Sequence, residues 1–434
     1  MPSEEIIGRS RELVETYGRA GCGLLGKLVS YPGGRYEEVG EVYLDITSPH
    51  CMLIVGKRGT GKSYTLGVLA ESFATLERRY RDKIAVLLID TMSVFHSLKT
   101  PNTNPGEVSS LKKFNLKPQD LEPMVKIFMP AITLKKLADE GKTLHYDQKL
   151  ALPLCEVDAY DWLNLFGLSQ VEPAGILLVR VMQELRKTPG YGYKDIFAMI
   201  EQLGSDPVAK DALNNLFMTI KELGVFSQTG TPYSELIKGG QISVLDISYL
   251  GRLGGYDLRN LIIAVIGRKL LTERTLFTTL QMQAEANLID DEAVGKLTEA
   301  HPLVYMLLDE AHLFLPSAGK TLASDILIDW IKLGRHPGLS LIMATQEPSA
   351  LHESAIRQSD ILIAHNVTSN DDIEALGKAK QAFMKGDKNI QDIVSTMEYK
   401  RGLAVLFDDK THTVELCKIR PRLTLHTGMD ATAL

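Results

Sequence analysis

The sequence predicts an α/β fold with a doubly wound core. Short apolar runs recur along the chain and alternate with stretches of helical periodicity. One of these runs, Cys51 to Val55, passes directly into a glycine-rich turn and then a helix. A long, mostly helical stretch at 132–224 interrupts the alternation and marks an insertion.

Taken in order, residues 21–48 carry Gly21, Gly23, Gly26, Gly33, Gly34 and Gly40 among runs such as Lys27-Leu28-Val29-Ser30 and Glu41-Val42-Tyr43-Leu44. These are expected to form small strands with tight turns, a minimal N-terminal β element. After Cys51 to Val55, Tyr64 to Tyr80 reads as a helix, and Ile84 to Ile89 as a buried strand ending at Asp90. Residues 99–120, with Pro101, Pro105 and Pro118, read as a loop. The helical lobe follows, including Pro173 to Lys187 and Pro207 to Leu223. The sheet resumes with Gln241 to Ile247 and a helix from Asp257 to Arg274, then passes a polar, acidic stretch around Ile289 to Glu299. Further strands are expected at Leu303 to Leu308, Leu339 to Ala344, Asp360 to Ala364 and Gly402 to Phe407. The implied domains are an N-terminal helix plus short β element (1–48), an α/β core (49–98 and 240–434) and a loop and helical insertion (99–239).

With 434 residues, 44% of them apolar and 24% charged, the chain can bury a large core and has no signature of disorder. A net charge of −6 excludes a uniformly basic surface, so any polyanion must meet a local patch or lined channel. Cys22, Cys51, Cys155 and Cys417 are scattered without a C-x-x-C pair, which argues against disulfides and a zinc site and fits a reducing cytosol. The start, Met-Pro-Ser-Glu-Glu, is unlike a leader, and the longest apolar runs are far short of a membrane span. A cytoplasmic protein without membrane association is expected.

The run Gly56-Lys57-Arg58-Gly59-Thr60-Gly61-Lys62-Ser63, followed by Tyr64, satisfies G-x-x-x-x-G-K-[ST] between an apolar strand and a helix. Its glycines free backbone N–H groups to cradle phosphates at a helix N-terminus. Lys62 is expected to reach the β- and γ-phosphates of ATP, and Ser63 to ligate Mg²⁺. The strand Leu303 to Leu308 ends in Asp309-Glu310, where Asp309 suits the metal and Glu310 suits polarising the attacking water. The bland reading of such a pair, two solvated acids, weakens beside an upstream P-loop. Gln346 ends another buried strand and could contact the γ-phosphate or the water; turn capping is its alternative. Arg335 follows the helical run Ile326 to Leu333 and Gly334, where it could act as an arginine finger across a subunit boundary or simply cap the helix. Arg357, Lys57, Arg58, Lys112, Lys113 and Lys117 could touch phosphate or DNA but equally read as solvated cations. His301, His312, His336, His352 and His365 lack ligand spacing, so no structural metal is expected.

Together with Val42-Tyr43-Leu44-Asp45, Gly240 to Ser248, Leu307 to His312, Leu333 to Leu339, Ala344 to Ser349 and Ile419 to His426, these motifs resemble the HerA branch of the HerA/FtsK P-loop DNA translocases. The resemblance covers most of the chain. It implies a RecA-like (ASCE) core, a homohexameric ring, ATP bound between subunits with Arg335 acting in trans, and double-stranded DNA pumped through a pore. It also implies a nuclease partner docked on an N-terminal β-barrel, which the short 21–48 segment could provide only in reduced form. His50 stands where the family commonly has a basic residue. Asp309-Glu310-Ala311-His312 also spells a box of superfamily 2 helicases, but their Q-x-x-G-R-x-G-R motif is missing. The functional expectation is an ATP-driven DNA translocase or helicase, possible nuclease or other effector coupling included. A nucleotide-gated scaffold and a polypeptide-transport ATPase are the alternatives.

Overall fold

The computed structural model describes residues 3–30, 37–251, 255–288, 301–379 and 402–427. The Gly33-Gly34 turn and the acidic stretch 289–299 lie outside the described residues. Among the described residues a 13-stranded sheet organises the fold. Its strands are β1 (Ser3–Ile7), β2 (Cys22–Ser30), β3 (Glu37–Asp45), β4 (Cys51–Val55), β5 (Ile84–Asp90), β6 (Val125–Pro130), β7 (Gln148–Leu150), β10 (Ile242–Asp246), β11 (Leu303–Leu308), β12 (Leu339–Thr345), β13 (Ile361–Ala364), β14 (Leu403–Asp408) and β15 (Thr413–Ile419). The spatial order is β1-β3-β2-β15-β14-β13-β4-β12-β11-β5-β10-β6-β7. A separate two-stranded ladder joins β8 (Leu152–Pro153) to β9 (Phe226–Ser227).

From β13 across to β7 every pairing is parallel. Such strands are covered on both faces, which is why β5 and β12 are buried at every position and read as unbroken apolar runs. Alternation then sorts the side chains: Met52 and Ile54 enter the core on one face, Leu53 and Val55 the core on the other. On the far side of β13 the sheet turns antiparallel through β14, β15, β2 and β3, and β1 closes the edge parallel to β3. Residues 1–48, expected as a helix with a short β element, thus contribute three strands, β1 to β3, to the same sheet as the P-loop strand. Helix α1 (Arg11–Tyr17), capped by the Ser10 side chain, lies between the first two.

The stretch 99–239 is less uniformly helical than its periodicity suggested. Residues 125–150 supply β6 and β7 to the sheet edge. Within 99–120, Pro105 opens a helix, Pro105–Lys112, rather than breaking one, because the missing N–H falls in the first turn and the Asn104 side chain caps that end. Four helices, Ala159–Phe166, Pro173–Leu185, Tyr193–Leu203 and Pro207–Leu223, form the lobe around the fully buried Trp162. Its ring sits 5.1 Å from Phe217 and 5.4 Å from Phe166. Asp158 and Asp161 form a capping box and both pair with Arg268, which ties the lobe to the helix Leu258–Glu285. That helix runs well past Arg274, whose buried guanidinium donates to the carbonyls of Pro337 and His301. The helix expected over 64–80 is instead α2 (Lys62–Ala74), closed at Thr75, followed by the short turn Arg78–Arg81.

Candidate functional site

Parallel register brings the C-terminal ends of β4, β12, β11 and β5 to one edge of the sheet, where α/β proteins bind ligands. Gly56 to Ser63 follows β4 and folds around one carbonyl. The Thr60 N–H (3.2 Å), Thr60 Oγ1 (2.7 Å) and Lys62 Nζ (3.2 Å) all donate to the oxygen of Lys57. Gly61 caps α2 at φ 116°, a conformation side chains disfavour, and leaves the helix N-terminus without a side-chain cap. A Cβ at Gly56 would come within 2.7 Å of the His365 Cβ, so the loop can lie this close to β13 only with glycine there. Lys57, Arg58 and Gly59 are exposed at the tip, where an anion could meet backbone N–H groups at a helix start.

Asp309 follows β11 and is 1% exposed; the Ser63 hydroxyl donates to its two oxygens at 3.3 and 3.4 Å. Burial, then the charges of Glu310 and Asp90, push its carboxyl up to about 7. Ser63 and Asp309 form a hard oxygen pair suited to Mg²⁺, and a cation placed there would reverse that upward shift. Burial lowers the Lys62 ammonium against the opposing pull of Glu310 and Asp309. Glu310 adopts the left-handed region at φ 52°, ψ 52°, a strained backbone for a non-glycine residue and one often found at functional positions. Its Oε2 is buried without a hydrogen-bond partner among the described residues, 3.6 Å from His312 Nδ1. His312 Nδ1 in turn meets Thr345 Oγ1 at 3.0 Å, at the tip of β12 beside the half-buried Gln346. Lys62, Ser63, Asp309, Glu310 and Gln346 are therefore brought to one edge.

Several neighbours were not singled out from the sequence as site residues. His365, just after β13, bonds Thr65 Oγ1 (2.9 Å) and the Leu403 carbonyl (3.0 Å) behind the loop. Burial, with Lys62 nearby, drives its imidazole down to about 4, so it is neutral at pH 7. Asp90 and Asp246 close β5 and β10 side by side. Burial and the charge of Asp246 raise Asp90 to about 6, while Asp246 accepts from Ser93 and meets His96 Nε2, each at 2.7 Å. The available signal was positional: each residue ends an apolar strand, as Asp309 does.

Tyr64 is placed otherwise than its neighbours. Its hydroxyl donates to Glu107 (3.0 Å) and accepts from the Arg422 N–H (2.7 Å), so its side chain belongs to the strap that follows β15, residues 420–427. The strap locks onto α2 through Glu71, which is fully buried and accepts from Arg420 (2.8 Å), Arg422 (3.2 Å), the Leu423 and Thr424 N–H groups and the Thr424 hydroxyl. Burial alone would raise the Glu71 carboxyl, but Arg420, Arg422 and these donors hold it below its ordinary value. Removing one member of a buried charge cluster strands the others. Glu71→Ala should cost about 3–5 kcal/mol of stability. Denaturant unfolding checks it, and a loss under about 1 kcal/mol, the surface-pair range, would contradict the account.

Arg335 is not at this edge. It lies exposed in the turn before β12, whereas Gln346 lies just beyond that strand. Seven residues of strand at about 3.3 Å each separate the two by roughly 20 Å, more than an arginine side chain can span. Arg357 pairs with Glu353 at 2.6 Å on a short surface helix.

A glycine-rich loop between a central parallel strand and its helix, facing an acidic strand tip, defines a RecA-like P-loop NTPase. More specifically, the family described as Helicase HerA, central domain, matches residues 25–268, over half of the chain, and the chain belongs to that family. Among solved structures, VirB4 of Thermoanaerobacter pseudethanolicus is similar in fold, with a TM-score of 0.52 and 13% identity over 92% of this chain and 96% of that one. The bacterial conjugative coupling protein TrwBdeltaN70 gives a TM-score of 0.49 and 12% identity, covering 94% of this chain and 96% of that one. The genome packaging NTPase B204 from Sulfolobus turreted icosahedral virus 2, in complex with AMPPCP, gives 0.34 and 13%, covering 85% of this chain and 97% of that one. No curated protein matches in sequence. Among the described residues no helix is long and apolar enough to cross a membrane.

Proposed function

We propose that the chain is one subunit of a homohexameric ring that hydrolyses ATP and uses the energy to translocate double-stranded DNA. The observation that carries the ring is the division of the candidate catalytic groups. Lys62, Ser63, Asp309, Glu310 and Gln346 gather at one edge of the sheet, and Arg335 lies at the opposite edge, roughly 20 Å away by strand length. One chain cannot bring both halves to one ATP; a head-to-tail ring can, because each subunit then offers opposite edges to its two neighbours.

In this reading the N–H groups of Gly59 to Tyr64 hold the phosphates and Lys62 neutralises the β- and γ-oxygens. Ser63 and Asp309 would hold Mg²⁺, which supplies charge neutralisation at the phosphates. Glu310 accepts the proton of the attacking water, Gln346 orients that water against the γ-phosphate, and the neighbour's Arg335 stabilises the charge that develops. Family membership supports duplex DNA as the load. Contacts to it would fall on backbone phosphates, since a motor must pass any sequence.

DNA-stimulated turnover is the test. At low salt, duplex DNA should raise the ATPase rate several-fold, and the stimulation should fade steeply as salt rises. A rate that stays flat across added duplex, in a chain that still binds ATP, would leave a nucleotide-gated scaffold as the better reading. Stimulation by polypeptide instead would favour a transport ATPase. An effector such as a nuclease would need a docking surface other than a free-standing barrel, since β1 to β3 are edge strands of the motor sheet.

A further inference from the structure

The edge that carries Arg335 holds a cavity of about 430 Å³, lined by Ser10, Leu13, Ser48, Pro49, Arg335 and Lys410. We propose that Lys410 is a second trans-acting cation, contacting beside Arg335 the terminal phosphate of ATP held by the neighbouring subunit. The inference rests on the ring reading above and adds a residue to it.

Lys410 belongs to the turn between β14 and β15, and β14 runs antiparallel to β13, with Asp408 opposite Ile361. It therefore sits at the N-terminal ends of the parallel strands, with Arg335 and away from its own P-loop. The polar lining of the cavity is two cations and two hydroxyls; Ser48 Oγ donates to Asp45 at 2.8 Å, so the donors for an anion are Arg335, Lys410 and the Ser10 hydroxyl. Nearby carboxylates are committed elsewhere. Asp45 pairs with Arg9 at 2.9 Å, Asp360 with His50 at 2.8 Å, and Asp408 accepts the Gly8 N–H at 2.7 Å. Among the described residues the Arg335 side chain has no hydrogen bond or ion pair. Lys410 spends one N–H on the Gly8 carbonyl at 2.7 Å, which aims the ammonium and leaves two donors.

Burial, reinforced by the like charge of Arg335 and opposed by Asp360, holds the Lys410 ammonium below its ordinary value. Two cations converging without a shared anion are mutually unfavourable, and a γ-phosphate between them would relieve that cost. Leu13 and Pro49 would exclude water from the contact and strengthen it. His50 cannot take this part, because its side chain is fully buried against Asp360.

Lys410→Met in the full chain should lower kcat by roughly 10²-fold, the scale of one lost transition-state donor. Affinity for a non-hydrolysable ATP analogue should fall while ADP affinity stays within about twofold, since ADP lacks the phosphate concerned. Lys410→Arg should recover most of the rate. Co-expression of differently tagged Lys410→Met and Lys62→Ala chains, with purification on both tags, should restore turnover, because some interfaces then pair an intact P-loop with an intact Lys410. Equal losses of analogue and ADP affinity, with lowered thermal stability, would reduce Lys410 to a tether for Gly8 and overturn the proposal. So would failure of the mixed rings to regain activity when the same mixture restores Arg335→Ala. If Arg335→Ala is not restored either, the ring reading itself fails, and the role of Lys410 with it.

Discussion

Glu310→Gln is expected to stop ATP turnover while ATP stays bound. The substitution keeps the size and the left-handed backbone position of Glu310 and removes only its capacity to take a proton. Oε2 sits buried and without a hydrogen-bond partner among the described residues, so the carboxylate is not consumed by a structural role. The expected loss in kcat is roughly 10²–10⁴-fold, the range for a positioned general base. Binding should change little, because Lys62 and the loop N–H groups are untouched. Single-turnover hydrolysis beside an equilibrium titration with labelled ATP separates the two quantities. A kcat within about threefold of the parent, well inside that range, would remove Glu310 from the catalytic role.

Arg335→Ala should be comparably severe, but its defect should be repairable by a neighbour. Arginine fingers contribute roughly 10³–10⁵ in rate in other NTPases. The side chain is exposed and far from its own P-loop, so the variant should fold and bind ATP normally. Mixed with Glu310→Gln chains, it should regain part of its turnover, since some interfaces would join an intact Glu310 to an intact Arg335. Rings confirmed by mass to contain both chains, yet inactive at every ratio, would count against a trans role. A simple helix-capping role would instead appear as a loss of at most about 1 kcal/mol in stability, with turnover unchanged.

The P-loop was legible because its physics is local. A tight loop that offers N–H groups to phosphate needs glycines at set spacings, and the strand before it and helix after it have their own periodicities. Asp309-Glu310 was legible for a similar reason: polar residues that end a strand buried on both faces stand out against an apolar run. His365, Asp90 and Asp246 followed the same strand-end rule but carried no motif, and histidines or single acids at strand ends are common. The strap residues Arg420 and Arg422 could be seen as part of a recurring string. That they converge on Glu71, some 350 residues earlier, could not, because nothing in local sequence couples the two.

Two stretches show where periodicity is ambiguous. Pro105 reads as a loop signal, yet it costs nothing in the first turn of a helix. The glycine-rich runs of 21–48 were correctly strand-like, but strands specify their own alternation and not the identity of their partners. Pairing is set by which edges the rest of the fold leaves open.

By itself, the sequence determined that a phosphate-binding loop, an acidic strand tip and a polar strand tip exist, since each is a short-range pattern. Only the tertiary structure decided which ends of which strands share an edge. Parallel register gathered Lys62, Asp309, Glu310 and Gln346 and left Arg335 on the opposite side, and the antiparallel return of β14 sent Lys410 there too. The reason is that a strand fixes the distance between its ends, whereas register and strand order fix who stands beside whom, and those depend on packing across the whole chain.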